Sequence, residues 1–210
     1  SIAGNLSARH EVECADLIVR QWSVRRSVER ALKRFQPDVV GMSAMTFQYH
    51  TAQHIARMVR RLVPHALIVL GGYHATLMAQ DLTGTAEQET LWDAIIRGEG
   101  ERSFDEWLDA VEGRRAMESI AGLSFRQGDR FVHNPARDLE DVNAIALPAR
   151  ERRIYRGFHH FFLRADVMET SRGCTFRCNF CSITRMYGLS FRAYPIERVL
   201  RDIDAMVRRG

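Results

Sequence analysis

Between Arg9 and about Gly113, short apolar runs alternate with segments whose apolar residues recur at helical spacing, and this alternation constrains the fold more than any other feature. Residues 12–19 read as a strand. Val28, Ala31, Leu32 and Phe35 then mark one face of a helix that Pro37 ends. Residues 38–45 form a continuous buried-strand run, and Ile55, Met58, Val59, Leu62 and Val63 line the next helix, which stops at Pro64. Residues 66–70 are strand again, closed by Gly71-Gly72 and followed by a helix over about 75–82. Residues 94–96 make a short strand closed by Gly98-Glu99-Gly100-Glu101, and Phe104, Trp107, Leu108 and Val111 line a further helix. This spacing predicts right-handed βαβ units. The expected fold class is therefore α/β, with a doubly wound parallel sheet of Rossmann or flavodoxin type covered on both faces.

Ligands of such sheets bind at the carboxyl ends of the strands. The loops there are 43–47, 71–76 and 98–102. Two of the three are glycine-rich, as close approach of backbone to a ligand requires, although tight turns alone would explain the same glycines. Farther on, residues 120–132 predict a hairpin around Gln127-Gly128-Asp129. Residues 134–164 contain Pro135 and Pro148 with little periodicity and read as a linker. Residues 165–170 are expected to form a strand leading into a cysteine loop. Pro195 opens a last helix with Ile196, Val199, Leu200, Ile203, Met206 and Val207 on its apolar face. The expected division is a first domain over 1–134, a linker over 135–164 and the start of a second domain over 165–210. The chain begins at Ser1 without a methionine and ends at Gly210 just after a helical pattern, so it is expected to be part of a longer protein.

Composition narrows the class. Hydrophobic residues make up 46% of the chain and the formal net charge is +4, which is normal for a globular protein and unlike a disordered one. No run approaches 18 apolar residues and the start lacks a signal-peptide pattern, so a cytoplasmic protein without a membrane span is expected. An excess of four positive charges is weak evidence for nucleic acid, which usually needs a clustered patch, so a nucleic-acid partner is not expected.

The cysteines carry the chemistry. Cys14 stands alone, while Cys174, Cys178 and Cys181 fall within eight residues in a C-x3-C-x2-C pattern. A disulfide framework would be sparse and odd-numbered, which points to a reducing compartment and a metal site. Soft thiolates select zinc, copper(I) or iron–sulfur clusters. A structural zinc wants four protein ligands, which His159 or His160 would have to complete. Three thiolates on one tight loop suit a 4Fe–4S cluster better, with one iron left open to a small molecule.

This loop, with the aromatic Phe180 just before its last cysteine, resembles the signature of the radical S-adenosylmethionine superfamily. Glu169-Thr170-Ser171-Arg172-Gly173 before it, and Gly188 and Arg192 after it, also look like that family's surroundings. The resemblance implies that Cys174, Cys178 and Cys181 hold the 4Fe–4S cluster and that Phe180 lies against the adenine of S-adenosylmethionine. It further implies reductive cleavage of the sulfonium to methionine and a 5′-deoxyadenosyl radical. It assigns no catalytic residue beyond the cluster loop.

Residues 37–43 with Thr46, then Gly71-Gly72-Tyr73-His74-Ala75-Thr76, then Gly98-Glu99-Gly100-Glu101 are similar to the cobalamin-binding domain of the B12-dependent radical S-adenosylmethionine enzymes. That likeness implies cobalamin contacts at Ser43, Thr46, Gly71, Gly72, His74, Thr76, Gly98, Glu99 and Gly100. The D-x-H-x-x-G motif of other cobalamin proteins is not present. After the cobalamin domain, the family places a (β/α)6 partial barrel, of which this chain would carry the first βα unit. The implied function is methyl transfer to an unactivated carbon or to phosphorus of a small-molecule substrate, with an electron donor such as flavodoxin or ferredoxin. Relatives of this kind also perform ring formation or oxidation, as in anaerobic tetrapyrrole cyclisation. Two other readings remain. Methylthiolation of tRNA draws on the basic and aromatic run 150–164, but it would need a second cysteine trio where only Cys14 stands; a linker whose aromatics pack between domains explains the run as well. A non-catalytic flavodoxin-like module with a structural zinc loop is the other.

Overall fold

The computed structural model describes residues 1–84 and 91–208. The chain divides into two compact units, one of Arg25–Leu139 and one that joins Ser1–Val24 to Glu140–Gly210. The first 24 residues thus group with the C-terminal part of the chain, whereas the sequence pattern assigns them to the N-terminal domain.

In the N-terminal segment, Ile2–Asn5 make a single helical turn, α1. The strand expected at 12–19 is not formed. Only Cys14 makes a bridge, parallel to Arg153, with its N–H on the Arg152 carbonyl (2.7 Å) and its carbonyl accepting from Ile154 (2.9 Å). The cause is Asp16, whose side chain accepts from the Ile18 N–H and caps a 3-10 turn at Leu17–Arg20, bending the backbone out of any ladder.

The middle unit follows the alternation closely. Helix α2 (Val24–Phe35) leads to strand β1 (Val39–Ser43), helix α3 (Tyr49–Leu62) to β2 (Leu67–Gly71), and the short helix α4 (Gly72–Leu77) with a 3-10 turn at Asp81–Thr83 precedes β3 (Ala94–Ile96). Helix α5 (Gly100–Val111) is followed by the hairpin β4 (Leu123–Gln127) and β5 (Arg130–His133), turning at Gly128-Asp129. The five strands form one sheet in the order β1-β2-β3-β4-β5, parallel through β3 and antiparallel thereafter. It is the expected α/β sheet, extended by the hairpin into a mixed one. Ile68, Val69 and Leu70 are consecutive and all buried, so the centre of the sheet is covered on both faces. Gly41 of β1 faces the Phe104 ring of α5, where a Cβ would stand only 3.0 Å from it. Trp92, Trp107, Ile120 and Leu123 complete the core.

In the other unit, β6 (His159–His160) and β7 (Leu163–Arg164) form a small hairpin. The strand expected at 165–170 lies instead at β8 (Ser171–Gly173). Arg150 donates to the Val167 carbonyl (2.9 Å), and the Asp166 carboxylate accepts from the Val167 N–H (2.8 Å), so side chains take the backbone groups a ladder would need. Helix α6 (Ile183–Tyr187) and β9 (Phe191–Ala193) follow; β9 pairs antiparallel with β8. Helix α7 (Ile196–Val207) has Pro195 at its N-cap and packs Val199 with Val142, Ile145 and Tyr194 in a small core. No helix among the described residues is long and apolar enough to cross a membrane.

Candidate functional site

Loops leave the carboxyl ends of β1, β2 and β3, and backbone hydrogen bonds knit them together. The Ala44 N–H donates to the Gly71 carbonyl (3.2 Å), and the Ala44 carbonyl accepts from the His74 N–H (3.1 Å). Thr76 Oγ1 donates to the Gly72 carbonyl and accepts from the Gly98 N–H, both at 2.9 Å. All nine residues expected to contact cobalamin lie at these strand ends and in the loops that leave them. Ser43 is exposed at the end of β1, and Thr46 is exposed at the start of a 3-10 turn. Glu99 is buried at the N-cap position of α5, and Gly100 is the first residue of that helix.

Gly72 is the tightest point. Its φ is +89°, and a Cβ there would stand 2.7 Å from Ser43 Oγ and 3.0 Å from the Ala44 nitrogen. Gly72→Ala is expected to destabilise the protein by about 1–3 kcal/mol, because both the left-handed backbone and the crowding oppose a side chain. Thermal unfolding of the variant checks this, and an unchanged midpoint would refute it.

His74 is buried, with Nδ1 3.2 Å from Thr46 Oγ1 and its ring 4.2 Å from that of Tyr49. Tyr49 escaped the sequence reading. It opens α3 three residues after Thr46, its ring also lies 6.2 Å from Trp92, and its hydroxyl is buried without a partner among the described residues. An aromatic at the first position of a helix that leaves a strand end was the available signal.

Burial holds His74 below the ordinary histidine value, and burial together with Arg97 does the same to His133, whose Nδ1 lies 2.8 Å from Ser124 Oγ. The unfolded chain protonates both near 6.5, while the folded protein resists until lower pH. Unfolding therefore takes up protons, and stability is expected to fall as pH drops through and below about 6.5. Unfolding midpoints between pH 7.5 and 5 measure this, and replacing both histidines by asparagine should flatten that slope.

In the other unit, β8 runs directly into the cysteine loop. Gly173 has φ +84°, and a Cβ there would collide with the Ser190 carbonyl, so glycine is required where the loop departs. Cys174 and Cys181 are half-buried, Cys178 is exposed, and none is in a disulfide. The Phe176 N–H donates to Cys174 Sγ (3.5 Å), and Phe180 is exposed. The loop thus supplies three soft donors at the expected spacing, and its chemistry fits an iron–sulfur cluster. Among the described residues no three His, Cys, Asp or Glu side chains are gathered as a metal-binding set. His159, a candidate fourth zinc ligand, places Nδ1 2.6 Å from the Gly157 carbonyl.

Polar side chains brace this loop. Glu169 Oε2 accepts from Arg172 Nε and from the Tyr194 hydroxyl, both at 3.0 Å, and Arg198 lies 3.7 Å over the Tyr194 ring. Burial, reinforced by the Glu169 carboxylate against the opposing Arg172 charge, pushes the Tyr194 phenol up to about 12, so it remains a donor. Arg192 Nη1 donates to the Glu140 carbonyl (2.6 Å).

A parallel α/β sheet with three loops knit over its strand ends is a small-molecule or cofactor-binding domain of the nucleotide-binding kind. The chain belongs to the B12 binding domain family, whose model matches residues 1–108. It is 28% identical to an uncharacterised methyltransferase of Pyrococcus horikoshii over 98% of its own length and 44% of that protein. It is 31% identical to the anaerobic magnesium-protoporphyrin IX monomethyl ester cyclase of Cereibacter sphaeroides over 84% of its length and 29% of that protein. The chain thus spans less than half the length of these curated relatives. In fold it matches the cobalamin-dependent S-adenosylmethionine radical enzyme OxsB, solved with aqua-cobalamin and S-adenosylmethionine bound. The TM-score is 0.70 at 21% identity, covering 92% of this chain and 26% of that one. The resemblance to B12-dependent radical S-adenosylmethionine enzymes, expected from the motifs, is thereby borne out.

Proposed function

We propose that the chain is the cofactor-binding part of a cobalamin-dependent radical S-adenosylmethionine enzyme that transfers a methyl group to an unactivated carbon or phosphorus of a small molecule. The observation that carries this reading is the joining of the loops after β1, β2 and β3 through Ala44, Thr76 and Gly98. It builds one continuous surface over the strand ends of a B12-type sheet, in a chain that also holds three free thiols on one loop. When bound, the cluster and cobalamin supply the electron for sulfonium cleavage and the methyl carrier. The chain's own residues bind and orient. Gly71 and Gly72 let the backbone approach the corrin tail, and Ser43 and Thr46 offer hydroxyls to it. His74, neutral in its buried place, holds the Thr46 side chain, and the backbone of 98–100 closes the third side. Cys174, Cys178 and Cys181 are the cluster ligands, and Phe180, exposed beside the last of them, is the surface for the adenine. The domain limits 1–134, 135–164 and 165–210 belong to the same proposal.

The test is anaerobic purification of the full-length protein, reconstitution with iron, sulfide and hydroxocobalamin, and addition of S-adenosylmethionine with reduced flavodoxin. Bound iron, a corrin released by cyanide, and formation of 5′-deoxyadenosine with methylated cobalamin are expected. Stoichiometric zinc without iron, or absence of corrin, overturns the reading. The identity to the magnesium-protoporphyrin cyclase supports a second outcome of the same chemistry, ring formation by the radical without methyl transfer. Deoxyadenosine formed with substrate while methyl groups stay on the carrier would select it.

A further inference from the structure

The hairpin of β6 and β7 turns through two residues, Phe161 and Phe162, since His160 pairs with Leu163 and the Ala165 N–H donates to the Phe158 carbonyl (3.1 Å). Both turn residues have positive φ, +46° and +67°. Two-residue hairpin turns with that backbone strongly favour Asn-Gly, because bulky residues resist the left-handed region. Here phenylalanine occupies both positions, and the side chains gain no burial in return: Phe161 is 83% exposed, Phe162 98% and the adjoining Leu163 73%. A strained turn that presents two aromatic rings to solvent calls for an occupant that covers them.

Two further observations specify that occupant. In the same compact unit Trp22 is 94% exposed two residues after the 3-10 turn, and Ile18 is exposed on that turn, whose Arg20 guanidinium lies 5.1 Å over the Tyr155 ring, four residues before the hairpin. The second is charge. Residues 150–164 hold five arginines against one glutamate, an excess of four that equals the formal excess of the whole chain. Of the four whose side chains are described, Arg150 and Arg153 pair with Asp202 and Asp166, and Arg152 and Arg156 are cations without a described partner in the residues leading to the hairpin. Exposed aromatic and aliphatic side chains at a hairpin tip, with two cations in the residues leading to it, match the headgroup boundary of an anionic bilayer. There the rings enter the acyl region and the guanidiniums stay with the phosphates. An RNA strand fits less well, because it would need a longer run of free cations to follow its phosphates.

We infer that the Phe161-Phe162 hairpin, with Trp22, is a peripheral attachment site for an anionic lipid surface. The proposal uses no residue assigned to cobalamin or the cluster, so its test leaves the cofactor reading untouched. Full-length protein is sedimented with phosphatidylcholine vesicles containing about 30 mol% phosphatidylglycerol, and with phosphatidylcholine alone. Binding to the anionic vesicles is expected, weaker on the neutral ones, and reduced at least about tenfold by the double variant Phe161→Asn/Phe162→Gly. That variant supplies the residues the turn prefers, so its melting temperature should hold or rise while its iron and corrin content stays that of the parent. Trp22→Ser should weaken binding on its own. Four results overturn the proposal: no vesicle binding by the parent; equal binding by the double variant; a lowered melting temperature in that variant, which would place the rings in a packed interface of the protein itself; or retention of a single-stranded RNA that the variant abolishes while vesicles are ignored.

Discussion

Alanine at any one of Cys174, Cys178 or Cys181 is expected to leave the full-length protein folded, strip it of iron, and cut 5′-deoxyadenosine formation below about a thousandth of the parent rate, since the chemistry belongs to the cofactor. The fold should survive because the thiols hold nothing else. Cys178 is exposed, and among the described residues the only hydrogen bond to the trio's sulfurs is the weak one from the Phe176 N–H to Cys174 Sγ. Changes to such side chains ordinarily cost within about 0.5 kcal/mol. Cys14 is the internal control. Burial pushes its thiol up, against the lowering pull of the arginines 152 and 153, and it serves the unit through its backbone bridge to Arg153. Cys14→Ala should therefore keep iron content and turnover. Iron analysis, the cluster absorbance near 400 nm after reconstitution and product chromatography separate the four variants. Retention of a full iron complement after loss of one of the trio would show that the loop is not the cluster site.

The strands β1 to β3, the helices between them and the β4–β5 hairpin are legible in the sequence, because apolar runs and helical spacing mark them. β2 reads directly from the pattern because Ile68, Val69 and Leu70 are all buried, and a strand covered on both faces needs no alternation. The segment at 12–19 also reads as a strand, yet Asp16 caps a 3-10 turn there and the ladder shrinks to one bridge at Cys14. The same happened at 165–170, where Arg150 and Asp166 take the backbone groups of Val167. In both places a side chain competed with the ladder, and such local hydrogen bonds leave no periodic trace. The candidate site divides along the same line. Spacing named the three cysteines and the glycines, since both are contiguous. The bond from Gly98 to Thr76 spans 22 positions, and the stacking of Tyr49 on His74 spans 25; neither has a signature in one sequence.

Arg150→Met is expected to destabilise the unit that carries the cysteine loop by about 3–5 kcal/mol, because it leaves a buried carboxylate without its partner. Arg150 is 5% exposed and Asp202 1%. The guanidinium grips Asp202 through two nitrogens, Nη1 to Oδ1 and Nη2 to Oδ2 (3.1 Å), while Nε reaches Asp166 Oδ2 at 3.0 Å. Burial alone would lower the guanidinium's hold on its proton. The hydrogen bond and charge of Asp202, helped by Asp166, more than offset that and leave it above its ordinary value. Asp202 lies on α7, the helix next after the cysteine loop and β9, so the pair ties the segment at 150 to the helix that shares a core with Tyr194. The bidentate pair fixes the register of that helix, whose Val199 completes the small core, and its loss should move the melting temperature of this unit down by about 10 °C or more. The doubly apolar variant Arg150→Met/Asp202→Leu removes both charges and should recover most of the loss, since buried pairs can be replaced by packed apolar residues at little cost. Equal destabilisation by the single and double variants would show that packing around residue 150, and not the unpaired charge, carries the effect. Iron retained after desalting is the functional readout: if α7 braces the loop through Tyr194 and Glu169, the single variant should lose cluster faster than the double one.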